Sequence, residues 1–519
     1  MSDPTAEALD LLRATDAVGR LHDRDDTLFG DAPDIRDSVR TRLGWLDLAP
    51  PPRQAQQRVT AVADAVRADG FERVVLAGMG GSSLAPEVFA AIGPRAGGDG
   101  AGGDGPGGDG AGGAAGLPLQ VLDSTHPDAV RAVLDDTDLA RTLVVVASKS
   151  GGTEETACFA AHAATLLPSP THLLAITDAG SDLERQAHAE GWRDTLVNPS
   201  DIGGRYSALS FFGMAAAALS GVDVQAVWSA AARAAQSCRA AAPLQDNPAA
   251  QLAAFMAGHA MSGRDKLTLL AGEDMAPLGD WIEQLVAEST GKQGTGVVPV
   301  VGEPLGEPYG DDRAFVVLGD PTGVDVPAGH PVFHLDEPDL GAQMLVWEVA
   351  TALAGVVLGS NPFDEPNVTE SKVNTKLVLA EGTPPPPENG DAEALLGQVR
   401  PGDYVSIQAY LPPTPALHAA LRDLRVRVRA RTGAATTVGI GPRFLHSTGQ
   451  LHKGGPNTCV ALQLADAPTG GPDIPSRGYD FATLVRAQAA GDLRSLRDHG
   501  RRVAQVRVDG AGAVERLLA

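Results

Sequence analysis

Short apolar runs rich in β-branched residues alternate with helix-like segments in the first half of the chain. The predicted strands are RVVLAG (73–78), LPLQVLD (117–123), TLVVVAS (142–148) and THLLAITD (171–178), and VTAVADAVRADG (59–70) has the spacing of a helix. Buried strands separated by helices are typical of a parallel sheet that is covered on both faces. The pattern therefore predicts an α/β unit in this region.

The same alternation begins again later in the chain. Predicted strands are KLTLLAG (266–272), AFVVLG (314–319) and VFHL (332–335), and a helix is predicted for DLGAQMLVWEVATALAGVVLG (339–359). The stretch TPPPPENGD (383–391) predicts a linker, because clustered prolines extend the chain and interrupt regular structure. We therefore expect a second α/β unit that ends at this linker.

The chain beyond the linker is also expected to be structured. Four predicted strands, DYVSIQAYL, TTVGIG, TCVALQL and AQVRVDG, alternate with two predicted helices, PALHAALRDLRVRVRA and DFATLVRAQAAGDLRSLRDH. This pattern is again typical of α/β structure. The C-terminal part is therefore predicted to fold rather than to act as a spacer.

Together these patterns predict an α/β protein with parallel sheets. We assign a helical N-terminal segment to residues 1–52, three-layer αβα units to 53–225 and 226–382, and an α/β C-terminal segment to 383–519. The repeat GGDGAGGDGPGGDGAGGAAG (97–116) contains no large apolar side chain. It is predicted to be a disordered loop, because it buries too little surface to offset its ordering entropy.

Charge and composition narrow the class of partner. The formal net charge of -24 argues against nucleic acid or an anionic membrane as the main partner. The three cysteines are far apart, the amino terminus is acidic and lacks a signal pattern, and no metal-ligand spacing is present. The longest apolar run is placed near Phe211–Leu219, far short of the roughly 20 residues that span a bilayer. A cytoplasmic protein is therefore expected.

Two glycine-rich turns stand between a predicted strand and a predicted helix. They are GMGGSSLAP (78–86) and SKSGGT (148–153), and the second contains one of only six lysines in the chain, Lys149. Backbone amides, hydroxyl groups, a helix amino terminus and a lysine form a cradle for phosphate. Tight turns use glycine and serine for structural reasons too, so either turn alone is weak evidence. Neither turn matches a nucleotide-binding loop, so a phosphorylated small molecule is the expected ligand.

Several blocks together resemble the phosphoglucose isomerase family. The likeness is closest to the isomerase part of bacterial transaldolase/phosphoglucose isomerase fusion proteins. The blocks are GMGGSSLAP (78–86), ASKSGGTEET (147–156), GGRYSALS (203–210), QLVAESTGK (284–292), NPFDEPNVTESKVN (361–374) and LHSTGQ (445–450). The resemblance implies two sugar-isomerase (SIS) domains, a sugar phosphate as substrate, no metal or other cofactor, and a homodimer.

The resemblance also implies roles for individual residues in the interconversion of glucose 6-phosphate and fructose 6-phosphate through a cis-enediol. Glu288 matches the base, Arg205 the group that stabilises the enediolate, and Lys372 a lysine at the ring-oxygen end of the sugar. His446 matches the histidine that opens the ring, with His452 as the alternative. The matched substrate and phosphate ligands are Gly81, Ser82, Ser148, Lys149, Ser150, Thr153, Gly204 and Gln284.

The residue types and their spacing fit this chemistry. Moving a proton next to a carbonyl needs a positioned carboxylate and an electrophile for the oxyanion. Gln284 and Glu288 are four residues apart and are predicted to share one face of a helix. Asp201 is the alternative partner for Arg205, which would leave the arginine with a structural role. A dual isomerase that also accepts mannose 6-phosphate, and a non-catalytic sugar-phosphate-binding protein, remain the alternative functions.

Three features depart from the family pattern or call for a structural reading. The histidine block comes late in the chain, so the C-terminal segment must fold back to the site, either of the same chain or of a neighbouring subunit. Glu365 stands where the family usually has glutamine, which puts its contact with substrate in doubt. Glu154 and Glu155 are expected to suit the positive end of a helix dipole, and His126 to begin a helix.

Overall fold

A computed structural model describes residues 3–92, 116–135, 138–320, 322–475 and 477–518, without the side chain of residue 369. Except for Gly116, the glycine repeat predicted to be disordered lies outside the described residues. The N-terminal segment is helical as predicted. It contains α1 (Pro4–Ala14), α2 (Ala17–His22), α3 (Pro33–Arg40) and a 3₁₀ turn (Gly44–Asp47), and α4 (Arg53–Ala68) follows at the start of the first α/β unit.

The first sheet has five parallel strands in the order β2-β1-β3-β4-β5. Its strands are β1 (Arg73–Gly78), β2 (Leu119–Leu122), β3 (Thr142–Ala147), β4 (Leu173–Asp178) and β5 (Asp194–Asn198). The helices of this unit are α5 (Leu84–Ile92), α6 (Pro127–Val130), α7 (Glu154–Leu166), α8 (Asp182–Glu190) and α9 (Phe211–Leu219). A π turn (Arg131–Asp135) continues α6. His126 caps α6 by accepting the backbone N–H of Asp128, so its predicted place at a helix start is confirmed.

The second sheet has four parallel strands in the order β7-β6-β8-β9. Helices α10 (Val224–Ser237) and α11 (Pro248–Met261) precede it. The elements that follow are β6 (Lys266–Ala271), α12 (Leu278–Thr290), β7 (Val298–Val300), β8 (Arg313–Leu318), β9 (Val332–Leu335), α13 (Leu340–Leu358) and α14 (Val368–Ala380). Three of these strands follow the sequence prediction, and β7 was not predicted.

A third parallel sheet, in the order β11-β10-β12-β13, occupies the C-terminal segment. Its elements are α15 (Ala392–Leu396), β10 (Tyr404–Tyr410), α16 (Pro415–Thr432), β11 (Ala435–Ile440), α17 (Gly449–Gly454), β12 (Cys459–Ala465), α18 (Phe481–Asp498), β13 (Arg502–Arg507) and α19 (Ala511–Arg516). All four predicted strands and both predicted helices of this segment are present. The α/β class with parallel sheets is confirmed, whereas the exact domain boundaries stay a prediction.

The apolar cores differ in how many parts of the chain they join. One continuous core joins the N-terminal helices, one face of the first sheet and helices α9 to α13. The other face of the first sheet packs with α7 against Phe481 and Leu484 of α18. The third sheet has a separate core of its own. Helix α18 is therefore the element that attaches the C-terminal segment to the first unit.

Helix α13 is buried on nearly all sides. In the described part of the chain it is the one helix that is long and apolar enough to cross a membrane, and most of it lies inside the fold. It is a longer apolar element than the one that the sequence analysis placed near Phe211–Leu219. It packs against α10, α11 and α12, which is typical of the central helix of a large α/β core.

The strand register determines where the two glycine turns lie. Strands β1 and β3 are neighbours, and Gly78 pairs with Ala147 at their carboxyl ends. Loops that follow neighbouring parallel strands emerge at the same edge of the sheet, which is the usual place for a ligand. The turns after β1 and β3 are therefore side by side.

Candidate active site

The first glycine turn lies at the centre of the candidate site. Gly80 has a φ of 56°, and a Cβ there would lie 2.7 Å from both Gln284 Nε2 and the carbonyl oxygen of His446. A Cβ at Gly81 would lie 1.9 Å from the carbonyl oxygen of Gly204. Glycine alone allows such close backbone approaches. The turn thus brings together residues that are far apart in the sequence.

The hydroxyl groups predicted to bind phosphate surround the two turns. Ser82 is buried at the end of the first turn. In the second turn, Ser148 Oγ donates to Thr153 Oγ1 over 3.1 Å, and Ser150 Oγ accepts the backbone N–H of Gly152 over 3.2 Å. Thr153 is the residue before α7, so the positive end of that helix faces the same loop.

Lys149 has protein partners in this structure. Its Nζ forms an ion pair with Asp178 and donates to the carbonyl oxygen of Ser200 over 2.9 Å. Burial raises the pKa of Asp178 even though Lys149 lowers it. A bound phosphate would therefore share Lys149 with Asp178 or draw the ammonium group away from it.

Glu288 lies buried on α12 with two polar neighbours. Gln284, one helical turn earlier, donates Nε2 to Glu288 Oε2 over 3.1 Å, and Arg205 Nη1 is 3.4 Å from Glu288 Oε1. Burial raises the pKa of Glu288, which makes the carboxylate a stronger base than an exposed one. Since Gln284 also touches the Gly80 turn, the carboxylate is one hydrogen bond away from the predicted phosphate loop.

Arg205 is held on several sides by the protein. Its Nε donates to Ser289 Oγ over 2.8 Å, and its Nη2 donates to the carbonyl oxygens of Pro362 over 2.6 Å and Asp364 over 3.0 Å. Its Nη1 contacts Glu365 over 3.2 Å in addition to Glu288. The guanidinium plane is thus fixed beside the Glu288 carboxylate.

Of the two acidic residues discussed near Arg205, Asp201 and Glu365, only Glu365 is paired with it among the described residues. The alternative partner Asp201 forms no ion pair with it among the described residues; Asp201 accepts the backbone N–H of Gly44 through its carbonyl oxygen over 2.8 Å. Glu365, whose role was in doubt, contacts the arginine directly. The side chain of Glu365 is 42% exposed, so water and a ligand can reach it.

His446 reaches the site from the C-terminal segment of the same chain. It ends the 3₁₀ turn Arg443–His446 after β11, and its carbonyl oxygen accepts Gln284 Nε2 over 2.7 Å. Its ring Nε2 lies 3.1 Å from Glu155 Oε1. The fold-back predicted from the late histidine block therefore occurs within one chain.

Glu155 corrects the sequence analysis. It was expected only to suit the dipole of α7, but it is 6% exposed and contacts His446. Burial acts to raise its pKa, yet the charge and hydrogen bond of His446, with a further effect of Lys372, lower the pKa to about 2. The sequence signal was its place in the ASKSGGTEET block; its partner lies 291 positions away. The site thus has a carboxylate–imidazole pair.

The alternative histidine, His452, lies in a structural position. It is 1% exposed, and its ring nitrogens contact Tyr404 Oη over 2.9 Å and Ser406 Oγ over 3.2 Å. Burial lowers the pKa of His452 to about 3, so the ring stays neutral. These contacts favour His446 as the functional histidine.

Two lysines have different surroundings: Lys372 lies in the NPFDEPNVTESKVN block, and Lys292 contacts that block from the end of QLVAESTGK. Lys372 is exposed on α14, close enough to Glu155 for its charge to lower the pKa of that carboxyl group. Lys292 is buried and donates to the carbonyl oxygens of Asn361 and Asp364 over 2.7 and 2.6 Å. Burial lowers the pKa of Lys292 to about 8. Lys292 was not predicted as a site residue; it anchors the segment that contacts Arg205.

Comparison with known proteins finds a family match over part of the chain. Residues 66–299 match the family model described as Phosphoglucose isomerase. The resemblance predicted from the sequence is confirmed over this part. Of the predicted site residues, Glu288, Arg205 and all of the substrate and phosphate ligands lie inside the matched range, whereas Lys372 and His446 lie beyond it.

Curated relatives cover a similar part of the chain. The Glucose-6-phosphate isomerase of Trichormus variabilis is 31% identical over 276 residues, which are 48% of this chain and 49% of that protein. The Glucose-6-phosphate isomerase of Geobacter sulfurreducens is 33% identical over 312 residues, 54% of each chain. The chain therefore spans about half the length of the curated relatives it matches.

Solved structures support the fold over a longer part. A hypothetical protein from Thermus thermophilus has a TM-score of 0.56 at 24% identity, covering 72% of this chain and 97% of that one. A glucose-6-phosphate isomerase from Chlamydia trachomatis has a TM-score of 0.53 at 17% identity, covering 73% and 86%. The predicted sugar-isomerase type of α/β fold is confirmed by these likenesses.

The described residues show no group of three or more His, Cys, Asp or Glu side chains arranged to hold a metal ion. The arrangement of the site residues offers acid–base chemistry. A buried carboxylate lies against a fixed guanidinium, and a carboxylate–imidazole pair lies on the other side of Gln284. Such paired groups suit proton transfers on an anionic substrate.

Proposed function

We propose that the protein is an aldose–ketose isomerase that interconverts glucose 6-phosphate and fructose 6-phosphate. The observation that carries the proposal is the buried Glu288 carboxylate, which lies 3.4 Å from Arg205 and one hydrogen bond from the Gly80 turn. A base, an electrophile and a phosphate cradle are thus within reach of one small sugar phosphate. The family match over residues 66–299 and the curated relatives support the same reaction.

In the proposed reaction Glu288 moves one proton between C1 and C2 of the open-chain sugar. Its raised pKa suits a group that must both take and return a proton. Arg205 stabilises the negative charge that develops on the enediolate oxygens, and its several protein contacts keep it in place without reorganisation. The ketose forms when Glu288 returns that proton to the neighbouring carbon and the hydroxyl proton passes from O2 to O1 of the cis-enediol, and the reverse transfers give the aldose.

The phosphate of the substrate binds at the two turns in this proposal. Hydroxyl groups of Ser82, Ser148, Ser150 and Thr153 and the start of α7 supply hydrogen bonds, and Lys149 supplies charge. Lys149 exchanges part of its contact with Asp178 for the phosphate. The phosphate thereby fixes the distance between the reacting carbons and Glu288.

Opening of the sugar ring falls to His446 in the same proposal. Glu155 is ionised because its pKa is about 2, and it accepts the Nε2 proton of His446. This contact orients the imidazole. Lys372 lies on the same side and is proposed to contact the ring-oxygen end of the sugar. We further propose that the enzyme works as a cytoplasmic homodimer.

The central test is Glu288→Gln. Fructose 6-phosphate turnover, followed by coupling the formed glucose 6-phosphate to a dehydrogenase, is expected to fall by about 10³-fold or more, because the amide cannot accept the C–H proton. Binding of either sugar phosphate, measured by calorimetry, is expected to change little. Full activity in this variant would refute the assigned base.

The matched control is Glu283→Gln on the same helix. Glu283 faces Asp280 and Arg425 instead of Arg205, and burial raises its pKa to about 8. Its replacement is expected to leave turnover unchanged. Equal losses in both variants would point to damage of α12 and not to loss of a base. Binding without turnover in the unmodified protein would favour the non-catalytic alternative.

A further inference from the structure

Gln488 comes into the candidate site from the C-terminal segment, outside the part that matches the family model. It lies on α18 and is 2% exposed. Helix α18 is docked on the first unit by Phe481, whose ring stacks on Phe159 of α7 with centroids 5.8 Å apart. Glu155 lies on the same helix α7. The packing of the two helices therefore fixes Gln488 opposite Glu155.

The side-chain amide of Gln488 has one orientation that satisfies its neighbours. Its Nε2 donates to Glu155 Oε1 over 2.7 Å, and its Oε1 accepts the hydroxyl of Thr125 over 2.5 Å. An ionised carboxylate accepts hydrogen bonds only, so the opposite orientation would place two acceptors against each other. Thr125 is fully buried. The Glu155 carboxylate thus determines which end of the amide faces it, and the Thr125 hydroxyl, which donates to Oε1, holds the other end in place.

Glu155 Oε1 is shared by two donors. The same oxygen accepts from Gln488 Nε2 and from the Nε2 of His446, 3.1 Å away. A buried carboxylate needs such donors, because burial alone would favour its protonated form. Gln488 is a neutral donor, so it stabilises the anion without competing with His446 as a second cation would. It also fixes the position of the oxygen to which the imidazole is bonded.

We propose that Gln488 is a positioning residue for ring opening: it holds the Glu155 carboxylate in the place and the charge state that orient His446. The inference rests on the proposed isomerase function. Through the 3₁₀ turn Arg443–His446 and α18, the C-terminal segment supplies both the imidazole and the group that positions its partner. Thr125 acts one step further away, by orienting the amide of Gln488.

The test separates ring opening from proton transfer. Opening and reclosing a sugar ring interconverts its anomers, so anomer exchange of glucose 6-phosphate, measured by NMR exchange spectroscopy, reports ring opening even when Glu288→Gln blocks isomerisation. In that background, Gln488→Met is expected to slow the protein-catalysed exchange by about 10- to 100-fold, by analogy with the loss of a group that orients a metal-bound histidine. In the otherwise unmodified protein, kcat for fructose 6-phosphate is expected to fall while KM stays nearly constant, because no phosphate contact is touched.

Two further variants keep the outcome decisive. Thr125→Val removes only the hydroxyl that orients the amide, and it is expected to give a smaller loss with the same kcat-only signature even if Gln488→Met folds poorly. Gln463→Met makes the same chemical change at a buried glutamine of the third sheet, bonded to Asp492 and Gln505. It is expected to leave both rates unchanged.

The inference and the function on which it rests fail in different ways. Anomer exchange at the same rate with Gln488→Met as without it, or equal losses with Gln463→Met, would overturn the positioning role while leaving the isomerase intact. Absence of any interconversion by the unmodified protein would instead overturn the proposed function. A rise in KM with unchanged kcat in Gln488→Met would also contradict the positioning role.

Discussion

Arg205 faces two carboxylates with one nitrogen. Nη1 lies 3.4 Å from Glu288 and 3.2 Å from Glu365. The negative charge of Glu365 therefore repels the Glu288 carboxylate and shares the Arg205 guanidinium that stabilises that carboxylate. Burial is the largest cause of the raised pKa of Glu288, and Glu365 raises it further, whereas Arg205, Gln284 and Lys292 lower it. Glu365 thus increases the basicity of the proposed catalytic carboxylate.

Glu365→Gln should show this effect in the pH dependence of the reaction. Without the second negative charge the pKa of Glu288 falls, so the base stays ionised in more acidic solution. The acid limb of kcat/KM is therefore expected to move to lower pH, with a modest loss of rate at neutral pH because a weaker base takes the proton less readily. Steady-state rates between about pH 4 and pH 9 measure it.

The control for this prediction is Glu370→Gln, which removes a carboxylate from the start of α14. Glu370 contacts His499 at the surface and not Arg205. Its profile is expected to coincide with that of the unmodified protein. An acid limb that stays in place in Glu365→Gln, or moves to higher pH, would contradict the electrostatic account.

Single residues also show where sequence reasoning reached its limit. Glu288, Arg205 and Gln284 could be predicted because neighbouring residues in their blocks carry the signal, and the structure brings them together. Glu155 also lies in such a block, but its role, like that of Gln488, depends on a partner hundreds of positions away in the sequence. A glutamate in the first turn of a helix and a glutamine within an amphipathic helix are both common, so neither residue type pointed to the site.

At the scale of secondary-structure elements, the apolar pattern predicted most strands of the three sheets. It missed β5 and β7. Strand β5 is a partly exposed edge strand, DTLVN, and β7 has only three residues, with a proline in the middle. Strand β5 lacks the apolar run that marks a central parallel strand, and Pro299 interrupts the valine run that contains β7. Helix α13 was predicted from its length and composition, but the sequence indicated no role for Glu348, its one acidic residue.

That acidic residue, Glu348, is a buried carboxyl group in the middle of α13. It is fully buried, and within the described part of the chain neither of its oxygens has a hydrogen-bond partner. Burial raises its pKa well above the ordinary value of 4.5. The folded protein therefore keeps a proton that the unfolded chain loses above that value. Stability is highest below it and falls as the pH rises toward the pKa of the folded state.

Glu348→Gln should remove this pH dependence, because glutamine resembles the protonated carboxyl group at every pH. The two proteins are expected to unfold at similar urea concentrations near about pH 4.5, and the variant to be more stable above it. The gap is expected to grow by about 1.4 kcal/mol per pH unit while Glu348 stays protonated. Urea unfolding curves over a pH series measure the difference.

Thr351→Val provides the control on the same helix. Thr351 is fully buried, and its hydroxyl also lacks a partner among the described residues, but it does not titrate. Its replacement is expected to change stability by the same amount at each pH. A Glu348→Gln protein that is no more stable at about pH 8 than the unmodified one would show that the carboxyl group is solvated or paired in solution.

At the scale of the whole molecule, the main question is which chain supplies each residue of the candidate site. The family match ends at residue 299, yet His446 and Gln488 come from the C-terminal segment of the same chain and contact Gln284 and Glu155. The sequence predicted the fold-back but left open which subunit supplies the histidine. The order of elements along a chain does not reveal whether a late segment folds onto its own chain or onto a neighbour.

Co-expression of two differently damaged chains can decide this in solution. Glu288→Gln removes the proposed base and His446→Gln removes the proposed ring-opening group, and each variant alone is expected to be strongly impaired. If each site uses the histidine of its own chain, every site in a mixed dimer carries one defect, so activity should not exceed the sum of the separate variants. If the histidine came from the neighbour, one site of each mixed dimer would be intact, and random pairing in a two-fold dimer would restore about a quarter of full activity. We expect no restoration, because the contact between Gln284 and His446 that joins the two groups lies within one chain.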